Sequence, residues 1–140
     1  MGAIVDTGVF IVHERRGFGA KDLHPNLTAY TSENLFALSS VSLAELADGI
    51  YRAKTSIQYS RRYSFVEEVA LSFPVIPMTR HTAWIAGRIR GEQAKLGNTL
   101  PIADSFIAAT AIEYDYAIIT LNIRDFERIP NLRVIPFTLP

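Results

Sequence analysis

Four carboxylates sit where an acid needs a reason. Asp6 closes the otherwise apolar run "AIVD", and Glu45 opens a helix after "ALSSV". Asp104 lies in the first turn of the apolar segment "LPIADSFIAATA", and Asp125 follows "IITLN". Gathered in one place, such groups repel, and the usual relief is a raised pKa or a bound divalent cation. The chain has no cysteine, and its three histidines (His13, His24 and His81) lack metal-ligand spacing. An all-oxygen set of this kind suits Mg2+ or Mn2+, ions that keep several waters and bind phosphate oxygens. The chemistry on offer is phosphodiester hydrolysis, in which the ion polarises the ester, activates a water and steadies the leaving oxygen.

Each acid also has an ordinary explanation. Ser42-Leu43-Ala44-Glu45 has the spacing of a capping box, which would make Glu45 a hydrogen-bond acceptor for the Ser42 amide. Asp104 complements a helix N-terminus, an effect of about 0.3–1 kcal/mol. Asp125 fits an Asx turn. Asp6 resists such treatment, because an acid ending a buried strand is costly unless paired or liganded. For Asp104, positions 104, 108, 111 and 115 share a helix face that reads Asp, Ala, Ala, Asp. The dipole explains the sign of its charge but not the apolar segment around it; a helix this apolar is expected to be buried, with its N-terminal acid directed to an edge or cleft.

The elements that must position these acids alternate. "AIVD" reads as a buried parallel strand, "FALSSVS" as a second strand leading into the helix "LAELADGIYRA", and residues 57–73 as a helix on Tyr59, Val66, Val69, Ala70 and Phe73. A short strand follows in "FPVIPMT", then a helix over 80–96 ended by Gly97, a helix after Pro101, and strands in "AIITLN" and "RVIPF". "HERRGFGAKDLHPN" (13–26), polar and carrying Gly and Pro, reads as a long mobile loop. The pattern predicts one α/β domain over residues 1–140 with a central, mainly parallel sheet, whose carboxyl edge is where chemistry gathers.

Bulk properties narrow the field. Fourteen basic residues balance fourteen acidic ones, so a nucleic-acid partner must be met by a local patch and not by a global field. With 49% hydrophobic and 20% charged residues the chain is no disordered tail. The N-terminus lacks a signal-peptide pattern, no apolar run reaches the ~18 residues of a membrane span, and the absence of cysteine suits a reducing compartment. The expectation is a soluble cytoplasmic protein without membrane contact.

Four segments in order, "IVDTGVFI", "SSVSLAELADGI", "GNTLPIADSFIAATAIEYD" and "IITLNIRDFERIPNLRV", resemble the PIN-domain family and, within it, the VapC-type toxins of bacterial toxin–antitoxin pairs. The resemblance covers nearly the whole chain and implies a three-layer α/β/α sandwich. It implies an endoribonuclease that uses Mg2+ or Mn2+ and leaves 5′-phosphate and 3′-hydroxyl ends. Carried over by position, Asp6 and Asp104 are direct metal ligands, Glu45 a ligand or water-mediated contact, and Asp125 completes the cluster through water. Thr7, Thr120 and Asn122 then support the acids. A small VapB-like antitoxin would cover the site, and a homodimer is expected, with a larger assembly once the antitoxin is bound.

Gly8 departs from the family, standing where relatives carry a residue able to cap the next helix, and the 13–32 segment is longer than expected, a candidate substrate or antitoxin contact. Arg15 and Arg16 are the preferred candidates for RNA phosphates; Arg61–Arg62 and Arg88 with Arg90 read as solvated charges. Trp84 is assigned to the core or a dimer interface. The competing function is a PIN-fold module with little turnover that acts by binding an antitoxin; the intact acidic quartet speaks against it. A haloacid-dehalogenase-like phosphatase is set aside because position 8, where a second Asp is needed, is Gly.

Overall fold

Short strands that are apolar at every position are buried on both faces, which in practice means a parallel sheet with helices on each side. The computed structural model, which describes residues 1–138, has that form. Its elements run β1 (Gly2–Val5), α1 (Thr7–Arg15), α2 (Ala20–Tyr30), β2 (Leu35–Ser39), α3 (Ser40–Tyr51), α4 (Ser56–Ser72) and β3 (Val75–Ile76). They continue with α5 (Arg80–Lys95), α6 (Ile102–Glu113), β4 (Ala117–Thr120), α7 (Ile123–Glu127) and β5 (Val134–Pro136).

The strands pair in the order β3-β2-β1-β4-β5, every pair parallel. In register, Ile4 lies beside Ala37 and Ile118, and Ala3 beside Phe36 and Ala117. Strand periodicity of two then divides the core. Ala3, Val5, Phe36, Leu38 and Ile119 face one layer, built from Phe10, Leu23, Leu27, Ile50, Phe65 and Val69 of α1–α4. Ile4, Ala37 and Ile118 face the other, built from Ile85 and Ile89 of α5 and Ile107, Ala108 and Ala111 of α6. The expected α/β/α sandwich is present. The chain leaves β1 toward β3, then returns to build β4 and β5 on the other side. Strand order therefore reverses at β1, and the carboxyl edge there opens a crevice.

The 13–26 segment corrects the sequence reading. Its first residues belong to α1, and residues from Ala20 onward form α2, with Pro25 inside the helix. Gly17, at φ +84°, makes the turn between them, and the Asp22 carboxylate accepts from the Gly19 N–H at 3.1 Å to start α2. Only Ala20, Leu23 and Leu27 of α2 are buried, a stripe too narrow to stand out in the sequence against the Gly and Pro around it. His13, read as a loop or surface residue, is buried on α1, where Nε2 contacts the Gly19 carbonyl at 3.1 Å and burial lowers its pKa. The turn after α5 matches expectation, with Gly97 at φ +83° and open space around its would-be side chain. Gly97→Ala therefore tests backbone conformation alone. It is expected to cost about 1 kcal/mol in urea denaturation.

Candidate active site

Asp6 follows the last residue of β1 and caps α1, its backbone extended at φ −68°, ψ 149°. The Thr7 N–H donates to Asp6 Oδ1 at 2.9 Å, and the Thr120 hydroxyl, at the end of β4, donates to Oδ2 at 2.7 Å. Thr120 Oγ1 in turn accepts from the Asn122 N–H at 2.9 Å. Because Asp6 itself supplies the cap, the start of α1 does not depend on a capping side chain at position 8. Burial raises the Asp6 pKa, and the Glu45 charge adds to the rise; the two hydrogen bonds oppose it.

Glu45 is held across the sheet edge. Thr7 Oγ1 lies 2.6 Å from Glu45 Oε1 and 2.8 Å from Ser42 Oγ. One hydroxyl proton serves one acceptor, and the shorter, charge-assisted contact takes it, so the buried Ser42 hydroxyl is the donor toward Thr7. The capping-box reading of Ser42 and Glu45 fails because α3 begins earlier: Ser39 is the N-cap, its hydroxyl accepting from the Val41 N–H at 3.2 Å. Sequence reasoning missed Ser42 as a site residue for the same reason, since its local pattern already had an explanation. At the other end of the cleft, Asn122 Nδ2 donates to Asp125 Oδ2 at 3.1 Å, and Arg128 pairs with Asp125 Oδ1 at 3.8 Å. Asp125 sits on α7, not in an Asx-turn loop.

Asp104 reaches the same edge because α6 runs against the strands, which puts its first turn at their carboxyl ends. Ala108 and Ala111 behind it are fully buried, so the helix packs closely and its direction is fixed. Among the described residues the Asp104 carboxylate has no hydrogen-bond donor. Its pKa is pushed up to about 6, first by desolvation and then by the charges of Asp6, Glu45 and Asp125. All four acids thus fall within electrostatic reach of one point. Among the described residues no three His, Asp or Glu side chains stand close enough together to form a ready-made metal cluster.

The structure separates the two arginines expected to meet RNA. Arg15 lines a cavity of about 270 Å3 with Glu45, Arg52 and Arg62, against Leu46 and Phe65. Arg16 lies at a different hollow with His13, Tyr30 and Phe137. Neighbours on a helix point about 100° apart, so only one of the pair faces the acids. Of the other basic pairs, Arg88 sits 3.9 Å from Glu92, Arg90 donates to the Leu100 carbonyl, and Arg62 donates to the Gly49 carbonyl. A hollow of about 640 Å3 between α5 and α6 holds no acidic residue. Trp84 is 79% exposed on α5, so its assignment to the core is wrong.

Thr120→Val keeps the side-chain shape and removes the donor to Asp6. It leaves a buried acceptor unsatisfied, and unfolding in denaturant is expected to show a loss of about 1–3 kcal/mol. An unchanged midpoint would mean that Thr120 does not hold Asp6.

A parallel α/β domain with carboxylates converging where its strand order reverses defines a class of acidic-cleft proteins. The family model for the PIN domain matches residues 3–132, and the chain belongs to the PIN domain family. It is 34% identical over 139 residues to a protein from Rickettsia bellii named ribonuclease VapC, covering 99% of this chain and 98% of the relative. It is also 34% identical over 97 residues to the tRNA(fMet)-specific endonuclease VapC of Salmonella typhimurium, covering 69% of this chain and 71% of that one. Among solved structures, VapBC2 from Rickettsia felis, bound to a DNA fragment from its promoter, superposes with a TM-score of 0.84. That match has 25% identity and covers 99% of this chain and 100% of the other.

Proposed function

We propose that this protein is a divalent-metal-dependent endoribonuclease, the toxin of a VapBC-like toxin–antitoxin pair. The observation that carries the reading is Asp104: a desolvated carboxylate without a hydrogen-bond donor among the described residues, its pKa pushed up to about 6 and its charge opposed by three neighbouring acids. A carboxylate in that situation is stabilised by a cation. The donor chemistry fits one, since all four side chains offer oxygen only. Asp6 and Asp104 would hold the ion directly, Glu45 directly or through water, and Asp125 through water. Mg2+ or Mn2+ matches such ligands.

When bound, the ion supplies Lewis acidity, easing proton loss from the attacking water and neutralising charge on the leaving oxygen. The chain's own residues do the positioning. Thr120 and the Thr7 amide fix both oxygens of Asp6, the Thr7 hydroxyl turns Glu45 inward, and Asn122 with Arg128 orients Asp125. Arg15, beside Glu45, places a positive charge where a substrate phosphate would pass. In-line attack by water on RNA then gives 5′-phosphate and 3′-hydroxyl products.

The names of the relatives support RNA as substrate, and the VapBC complexes among the structural neighbours support a small VapB-like antitoxin that keeps the site covered. We read the 140 residues as one domain acting in the cytoplasm; among the described residues no helix is long and apolar enough to cross a membrane. Self-association into a homodimer would use the α5 face, where exposed Trp84 lies beside Ala83 and Gly87.

The deciding experiment incubates the partner-free protein with total RNA and Mg2+ or Mn2+, with and without chelator, alongside Asp104→Asn. Cleavage should need both the ion and the acid. Cleavage that survives chelation and the substitution overturns the reading. Absence of cleavage under every condition, with antitoxin binding intact, would instead favour the non-catalytic module.

A further inference from the structure

The outer end of the α3–α4 hairpin carries chemistry that the acidic cleft does not use. From Gly49 to Ser64 the chain holds Arg52, Lys54, Arg61 and Arg62 and no acidic residue, in a protein whose fourteen basic and fourteen acidic residues balance overall. Three tyrosines are interleaved with them. Tyr51 meets Tyr59 edge-on with ring centroids 6.0 Å apart, and Tyr59 lies near-parallel to Tyr63, also at 6.0 Å. All three rings are exposed, Tyr51 to 72%. The hairpin's packing on the sheet does not require them, since Leu46, Ile50, Phe65, Val66 and Val69 make it.

The cations divide by role. Arg62 ties the two helices by donating to the Gly49 carbonyl at 2.7 Å. Arg52 pairs with Asp48 at 2.7 Å in a solvent-exposed bridge, which a phosphate can displace at little cost. Lys54 and Arg61 are exposed at the hairpin end. Helix geometry relates this surface to the cleft. Tyr51 lies six residues beyond Glu45, about 9 Å along α3 and about 120° around it, so the rings flank the cleft without lining it. Arg52 comes back to the Glu45 side and lines the same cavity, bridging the two regions.

We propose that this hairpin end is a binding platform for an unpaired stretch of the RNA substrate outside the cleavage site. Bases stack on Tyr51, Tyr59 and Tyr63, while phosphates lie along Arg52, Lys54 and Arg61. Exposed π-faces beside solvent-exposed cations are the combination that binds single-stranded nucleic acid without base-edge contacts. An apolar protein partner would use the rings but gives no reason for the run of cations. The identity of the polyanion rests on the ribonuclease reading; the surface itself rests on the rings and charges.

The test measures fluorescence anisotropy of a fluorescein-labelled 12-nucleotide single-stranded RNA with the full chain in chelator, where binding is read without turnover. Replacing Tyr51 and Tyr59 by Leu keeps apolar volume and removes the flat faces; affinity is expected to fall about tenfold or more. Replacing them by Phe should leave affinity within about twofold, because the π-face stays. Lys54→Gln with Arg61→Gln should lower the slope of log affinity on log salt by about 1.4, two contacts at ~0.7 each. Leu variants that bind like the parent overturn the platform, as do Phe variants that lose as much as Leu. Unchanged RNA binding together with release of a co-expressed antitoxin assigns the face to a protein partner and also overturns it. The two readings fail separately: cleavage indifferent to Asp104→Asn defeats the catalytic assignment, whereas ring-independent binding with Asp104-dependent cleavage defeats the platform alone.

Discussion

Asp104→Asn is expected to lower RNA cleavage by at least about a hundredfold while making the protein no less stable at pH 7. The two effects share one cause. Asp104 is desolvated and faces three other acids without a compensating donor among the described residues, so its charge opposes folding. Its pKa of about 6 lies above the ordinary 3.8. Between those values the folded chain keeps a proton that the unfolded chain has lost, so stability falls as pH rises from about 4 to about 6. After allowance for the water that screens a half-buried group, the loss is on the order of 1–2 kcal/mol. Urea denaturation at pH 4.5 and 7, in chelator, should show this slope in the parent and a shallower one in Asp104→Asn. Asp6, whose pKa is also raised, contributes in the same sense to both proteins, and the mutual repulsion of Asp6 and Asp104 is lost in the Asn variant, which flattens its slope further. An Asn variant clearly less stable than the parent at pH 7 would mean that Asp104 makes a structural contact.

A saturating divalent cation is expected to raise the melting temperature by on the order of 10 °C at pH 7.5. Binding to the folded state alone at a hundred times the dissociation constant contributes about 2.7 kcal/mol, and a chain of this size gains a few degrees per kcal/mol. Protons compete for the same oxygens. Below pH 6 Asp104 is mostly protonated, which at pH 5 weakens binding about tenfold, so the shift should fall to about half. Asp6→Asn combined with Asp104→Asn should remove it at both pH values. Differential scanning fluorimetry with Mn2+ and Mg2+ reads all of this. A shift of equal size at pH 5, or one kept by the double variant, would place the ion elsewhere.

The strands were legible because a strand buried on both faces has no polar alternation to confuse with a surface helix; "AIVD" and "AIITLN" announce themselves. The placement of Asp6, Glu45, Asp104 and Asp125 at one edge follows from parallel topology alone. Other features depend on balances that a local pattern does not contain. Residues 20–30 form a helix despite Pro25 because three apolar side chains find the core, which outweighs the turn signals. Ser42 looked like a cap because a serine three residues before a glutamate has the capping-box spacing; the actual start at Ser40 is set by where β2 leaves the sheet. The contact that turns Glu45 inward comes from Thr7, 38 residues earlier, and no window along the chain reveals it. Arg15 and Arg16 are indistinguishable in sequence and differ only in which side of α1 each occupies.

The bond from Thr120 to Asp6 joins residues 114 apart, and β4 lies directly against β1. A ribosome making this protein therefore releases Asp6 and Glu45 long before the strand and the acid that complete their site. Until β4 arrives, β1 has an open edge and Asp6 lacks one of its two donors. Assembly of the cleft waits for β4, because long-range strand pairing needs both partners. A chain that stops short of β4 therefore lacks both the strand beside β1 and the hydroxyl that holds Asp6. The 114-residue separation between Asp6 and Thr120 leaves time for a partner already present to be waiting.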